Sequence, residues 1–137
     1  MKLNHDCIRD VMLLLERELQ LRALPDGSVR ICDLPFRRLY AALPKYRRED
    51  VFYSLFNLDQ AGYIDASMLW SDGCCGEGSV NYMTFSGHEF LDQIRDDRRW
   101  AVVKRGLSAV ANYSLSMVGT IAEGLSAGAV SAYLDHQ

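Results

Sequence analysis

From Asn4 to about Leu21 the apolar residues Ile8, Val11, Met12, Leu15 and Leu19 recur at steps of three and four, the spacing of one helix face. Asn4 is placed to cap that helix. Pro25-Asp26-Gly27 signals a turn, after which Val29 and Ile31 alternate with Arg30 and Cys32 as in a short strand. Pro35 suits the first turn of a second helix, whose stripe Phe36, Leu39, Tyr40 and Leu43 ends at Pro44. A third helix is predicted from about Arg47 to Ala61, burying Val51, Phe52, Leu55 and Leu58, with Gly62 as its C-terminal cap.

The period then changes to two. Ile64, Ala66, Met68 and Trp70 alternate with Tyr63, Asp65, Ser67 and Leu69, and Val80 to Phe85 alternates again, which predicts a β-hairpin. Its connection, Ser71 to Ser79, is glycine-rich and reads as a long, mobile loop. Ser86-Gly87-His88-Glu89 has the spacing of a capping box, Ser86 accepting from a backbone amide and Glu89 reaching back, before a helix that turns Phe90, Leu91 and Ile94 inward. The predicted order is helix, strand, helix, helix, strand, strand, then helices. This is the order of a winged helix. The expected fold class is α+β, mainly α: a winged-helix-like domain with a small three-stranded sheet over residues 1–96 and a long C-terminal helical extension over 97–137.

Two stripes mark that extension. Trp100, Val103, Leu107, Val110, Ser114, Met117 and Ile121 keep alternating three- and four-residue steps, as in a coiled-coil seam. Ser108, Asn112, Ser116, Thr120, Gly124, Gly128 and Ala132 are small or short residues four apart, a row along which another backbone can approach closely. A helix of this composition needs packing to persist, and at ~1.5 Å per residue it would run roughly 40 Å. The expectation is an oligomerisation element and a homo-oligomer. A C-terminal membrane span over 107–134 is the minor alternative, set against by the Ser, Gly, Asn and Thr content and by Glu123 near its middle.

Composition narrows the chemistry. In 137 residues, 49% apolar and 24% charged, there is enough to bury one core, and the net charge of −3 gives no general attraction to nucleic acid, so DNA binding would need a local basic patch. The four cysteines, Cys7, Cys32, Cys74 and Cys75, match no zinc knuckle and no Cys-x-x-Cys pair. With charges where a signal peptide needs an apolar run, a cytoplasmic protein with reduced thiols is expected. His88 and Glu89 are explained by helix capping, and His5, Cys7, His88 and His136 have no spacing that converges on a metal. No catalytic residue, metal or cofactor is expected, and the chain is read as no enzyme.

The opening Met1-Lys2-Leu3-Asn4-His5-Asp6-Cys7-Ile8-Arg9-Asp10-Val11, the segment Leu58-Asp59-Gln60-Ala61-Gly62-Tyr63-Ile64, and Thr84-Phe85-Ser86-Gly87-His88-Glu89-Phe90-Leu91-Asp92-Gln93-Ile94-Arg95-Asp96-Asp97 with Trp100 and Lys104 together resemble the domain of unknown function 2513 family. The resemblance covers about residues 1–105. It implies a winged-helix-like fold and an origin in phages, prophages and other mobile elements, and it carries over no activity and no catalytic residue.

Two surfaces are candidates for contact. Arg37, Arg38, Lys45, Arg47 and Arg48 are five basic residues with no acid between Asp33 and Glu49, around the turn where a winged helix meets phosphates, and Tyr53, Ser54 and Asn57 are expected to face bases. The second is the expected wing loop, with Asp72, Cys74, Cys75 and Glu77 and without one basic residue. The leading expectation is a mobile-element DNA-binding regulator acting as an oligomer. The alternative is a protein-binding module that modulates a host factor, such as a defence nuclease, through its acidic wing; a purely structural oligomer is the third reading.

Overall fold

The structure is a computed structural model that describes residues 1–108 and Val118. Helix α1 (His5–Glu18) begins at Asn4, whose side chain accepts from the Cys7 amide at 3.0 Å. Cys7, Ile8, Val11, Met12, Leu14 and Leu15 are buried, and the helix packs against the later helices Arg48–Gln60 and Phe85–Ile94. It ends three residues sooner than its apolar period suggests, because Leu19 turns to extended backbone and Gln20–Ala23 forms a strand, β1.

That strand pairs antiparallel with β2 (Val29–Cys32), and the two make a separate two-stranded ribbon. The strand read at Val29 therefore belongs to this ribbon and not to the main sheet. Both faces of β1 are exposed, and the alternation of Gln20 and Arg22 with Leu21 and Ala23 spans only four residues directly after the helical period, so it does not stand out in the sequence.

The main sheet starts with β3 (Leu34–Pro35). Pro35 lacks an amide to donate, which an edge strand tolerates, and in the same extended conformation it serves as N-cap of α2 (Phe36–Ala42). After a short turn comes α3 (Arg48–Gln60), then β4 (Ile64–Ser71) and β5 (Cys74–Met83). The strand order is β3-β5-β4, all antiparallel. The fold is thus α+β, in the element order of a winged helix, with the β1–β2 ribbon inserted between the first helix and the first sheet strand.

The expected long loop in the wing is absent. Ser71 pairs with Cys74 across a two-residue turn, Asp72-Gly73, with φ of +52° and +76°. Positive φ at both central residues is the type I′ pattern that matches strand twist, and Asp-Gly supplies it. Cys74 to Ser79 are strand residues instead, with register irregularities in β4 at Asp65/Ala66 and Leu69/Trp70.

Helix α4 (Phe85–Ile94) is capped by Thr84 and not by Ser86. The Thr84 hydroxyl accepts from the Gly87 amide at 3.0 Å and donates to the Gly62 carbonyl, and the Thr84 amide donates to the Tyr63 carbonyl at 3.1 Å. Because that carbonyl lies against Gly87, a Cβ there would sit 1.9 Å from it. Phe90 stacks on Tyr63 with ring centroids 4.5 Å apart, completing the joint between α4 and the start of β4.

Helix α5 (Asp97–Ser108) follows at once. Its Trp100, Val103 and Leu107 are buried in the same core as α1, α3 and α4, so the core runs across the expected division at residues 96 and 97. Val118 also belongs to that core.

Gly87→Ala is expected to lower stability by about 1–3 kcal/mol, since neither backbone can yield easily. Gly76→Ala, with open space around it, should change it by less than about 0.5 kcal/mol. Urea unfolding of the two variants measures both, and a Gly87→Ala midpoint equal to the parent's contradicts the tight joint.

Candidate functional site

The polar residues of the N-terminal motif look like a reactive cluster, yet each is tied to another element. Asp6 accepts from Trp100 Nε1 at 2.9 Å and from Lys104 Nζ at 3.1 Å, both on α5. Arg9 donates to the carbonyls of Ile94 and Arg95 at 2.8 and 2.6 Å and pairs with Asp97 at 2.7 Å. Asp10 accepts from the Tyr46 hydroxyl and pairs with Lys45 at 3.0 Å, which fixes the turn between α2 and α3. Glu16 and Arg95 form a two-pronged pair at 2.6 and 3.0 Å.

These bonds leave their mark on the titrating groups. Burial raises the Asp6 carboxyl, and the hydrogen bonds and charge of Trp100, Lys104 and Lys45 outweigh it, so the group lies below its ordinary value. Burial, with the bond to Asp10, pushes the Tyr46 phenol well up. The Cys7 thiol is raised by burial despite its contact with Ser54, which makes it a poor nucleophile. Burial lowers the His5 imidazole, only partly offset by the Asp6 charge.

Beside this ring of ties lies a groove of about 910 Å³. The start of α1 with Lys2, the first turns of α3, the tip of the β4–β5 hairpin, and Lys104 and Leu107 of α5 wall it. Its aromatic side chains are Tyr40, Phe52, Tyr53 and Trp70. Trp70 reaches back from β4 and packs edge-on against Phe52 and Phe56 at 5.9 and 6.2 Å, and Phe52 meets Phe36 at 6.2 Å. Trp70 remains 52% exposed. Arg48 lies over the Tyr40 ring at 5.3 Å, while Arg47 is tied to Asp50 at 3.3 Å and lies near Glu49.

The structure divides the expected DNA contacts. Arg47, Arg48 and Tyr53 line the groove. Lys45 is spent on Asp10 and the Tyr46 ring. Arg37 and Arg38 are exposed on α2, with Arg38 in a separate cleft beside Leu14 and Glu18 at the other end of α1. Ser54 is 1% exposed and donates to the Asp50 carbonyl, so it cannot face a base. It stands three residues after Val51 and four before Leu58, on the apolar stripe itself, and that spacing was the signal for its burial. Asn57 is half-buried and donates to the Tyr53 carbonyl.

In the wing, Asp72 is at the turn and Cys74 is exposed, while the half-buried Cys75 donates to the Glu77 carbonyl at 3.3 Å. Adjacent strand residues point to opposite faces, so Cys74 and Cys75 do not converge. Among the described residues no three His, Cys, Asp or Glu side chains are placed to hold a metal ion, and no helix is long and apolar enough to cross a membrane. Of the small-residue stripe, Ser108 ends α5, and Asn112, Ser116, Thr120, Gly124, Gly128 and Ala132 lie outside the described residues. The importance of Trp70 and Tyr40 was not visible in the sequence, where both read as core positions of separate elements.

The family described as Hypothetical protein (DUF2513) matches residues 2–113. The chain belongs to this family. A protein of Haemophilus influenzae described as an uncharacterized protein is 30% identical over 128 residues, which span 90% of this chain and 93% of that one. No solved structure matches. The segments that carry the DUF2513 resemblance map onto the structural joints above: Asn4, Asp6, Arg9 and Asp10 on the polar ties, Thr84, Gly87 and Phe90 on the α4 joint.

His5 gives these ties a pH dependence. The unfolded chain takes up a proton near the ordinary value of 6.5, which the folded chain resists. The contribution is therefore complete above about pH 6.5 and is lost as pH falls below it. The urea midpoint should drop between pH 7.5 and 5.5, and His5→Gln should reduce the drop. Equal drops in both proteins would remove His5 from this role.

Proposed function

We propose that this chain is a non-enzymatic protein-interaction module that holds a segment of a partner protein in the groove between α3, the β4–β5 hairpin and the start of α1. The observation that carries this reading is Trp70, half-exposed over an aromatic floor and flanked by charges of both signs. Protein interfaces are anchored by buried aromatic and arginine side chains in such pockets, with a polar rim. Arg48, stacked on Tyr40 and without an ion pair among the described residues, fits a carboxylate on the partner.

The use of α3 as a base-reading helix has less support. Phe52 and Phe56 are covered by Trp70, Ser54 and Asn57 are bonded within the helix, and Glu49 and Asp50 at its start repel phosphate. A host protein fits as the partner if the chain comes from a mobile element, as its family resemblance implies.

Capture from a bacterial lysate by the tagged chain tests this. Proteins retained after nuclease treatment should be lost at least tenfold with Trp70→Ala and with Arg48→Glu, each variant remaining folded by circular dichroism at the temperature of the capture. A captured set that vanishes with nuclease, or that both variants retain in full, overturns the proposal.

A further inference from the structure

Six of the fifteen Lys and Arg residues are neutralised where they stand: Arg9, Arg17, Lys45, Arg47, Arg95 and Lys104 have acidic partners. Arg22, Arg30, Arg37 and Arg38 have no ion pair among the described residues, and they fall within a short stretch comprising the β1–β2 ribbon and α2. In the ribbon Arg22 lies directly opposite Arg30. Side chains so paired share one face with Cβ atoms about 5 Å apart, and like charges there destabilise the pair. The ribbon is also two-stranded and almost wholly exposed, an arrangement of marginal stability in water. An anion seated between the two guanidinium groups would relieve the repulsion and stiffen the ribbon.

We propose that the β1–β2 ribbon is a DNA-binding arm, with Arg22 and Arg30 holding backbone phosphates of a duplex. Both faces of the ribbon fit that ligand. One face carries Arg22 and Arg30 with Gln20 and Cys32. The other carries Ala23 with Leu21, Val29 and Ile31, which are 69%, 63% and 46% exposed. The major groove of B-DNA is wide enough for a two-stranded ribbon, and it offers phosphates along its walls and thymine methyl groups on its floor. An acidic peptide would meet the arginines and leave the apolar face in water. The acids of this region do not cancel the pair: Glu18 is bound to Arg17, Asp26 is held at the turn by the Ser28 amide and hydroxyl, and Asp33 lies past the ribbon's base.

Arg38 extends the same end of the molecule, in the cleft beside Glu18, two residues before β1 begins. The fourteen residues of α1, at ~1.5 Å each, separate this end from the aromatic groove by roughly 20 Å. The arm and the groove are therefore separate surfaces.

Fluorescence anisotropy of a labelled 20-base-pair duplex with the full chain, between about 50 and 200 mM salt, tests the arm. The parent chain should bind at 50 mM. Arg22→Gln with Arg30→Gln should weaken binding at least tenfold and reduce the slope of log K against log salt by about 1.8, or 0.9 for each phosphate no longer neutralised. Arg22→Lys with Arg30→Lys should keep the slope, and Trp70→Ala should leave DNA binding intact while removing protein capture. If the double glutamine variant does not fold by circular dichroism, the two single variants decide, each with a slope lower by about 0.9. The proposal is overturned by no binding of the parent chain at 50 mM, by an unchanged slope in the glutamine variants, or by equal or tighter binding of polyglutamate or of duplex RNA, whose narrow major groove excludes a ribbon.

Discussion

The guanidinium of Arg9 donates to the carbonyls of Ile94 and Arg95 and pairs with Asp97, and through that one side chain α1 holds the end of α4 and the start of α5. The carbonyls at the end of α4 have no helical partners of their own, so a charged donor from another helix both satisfies them and favours the negative end of the helix dipole. Asp6 makes the matching contact one turn earlier, accepting from Trp100 and Lys104. With its apolar residues turned to α3 and α4 and its polar ones tied to α5 and to the α2–α3 turn, α1 is bound on nearly every side. The other helices take their places relative to it.

This constraint also decides where chemistry is left over. A histidine, a cysteine, four carboxylates and two arginines lie within the first helix, and in another setting they would suggest catalysis or metal binding. Here Asp6, Arg9 and Asp10 are consumed by structural bonds, and burial keeps Cys7 protonated and His5 neutral. The two proposed contact surfaces lie at the two ends of α1: the aromatic groove at its start and the arginine-bearing ribbon at its finish.

The helices and the β4–β5 hairpin were legible in the sequence because each buries one face and so shows a period. The β1 strand was not, since its four residues are all exposed and their alternation, Gln20 and Arg22 against Leu21 and Ala23, is too short to stand out beside the helical period that precedes it. Thr84 and Ser86 are both plausible caps by residue type. The Gly62 carbonyl and the Tyr63 backbone, brought near only by the folded sheet, select Thr84. Ser54 and the Asp-Gly turn are different, because their signals were local: Ser54 sits in register with Val51 and Leu58, and Asp72-Gly73 is itself a tight-turn pair. Residues that gain a role from two elements meeting, as Trp70 and Tyr40 do, have no counterpart in any one-dimensional pattern.

The two-residue turn in the wing has the widest consequence for function. Had Ser71 to Ser79 been a free loop, the wing would have been acidic, mobile and separate from α3. With Ser71 paired to Cys74, the hairpin stays regular to its tip, and Trp70 is brought against Phe52 and Phe56 on α3. The helix that a winged-helix order would assign to base reading is thus covered in part by its own wing, and the space left between them is aromatic. Gly78 permits the same closure on the neighbouring strand, where the Phe36 ring occupies the volume that any side chain would need. An element order therefore does not carry its usual ligand with it. Under the proposed reading, the packing of one tryptophan suits the space beside α3 to protein, and the arginines of the β1–β2 ribbon are where phosphate would be met.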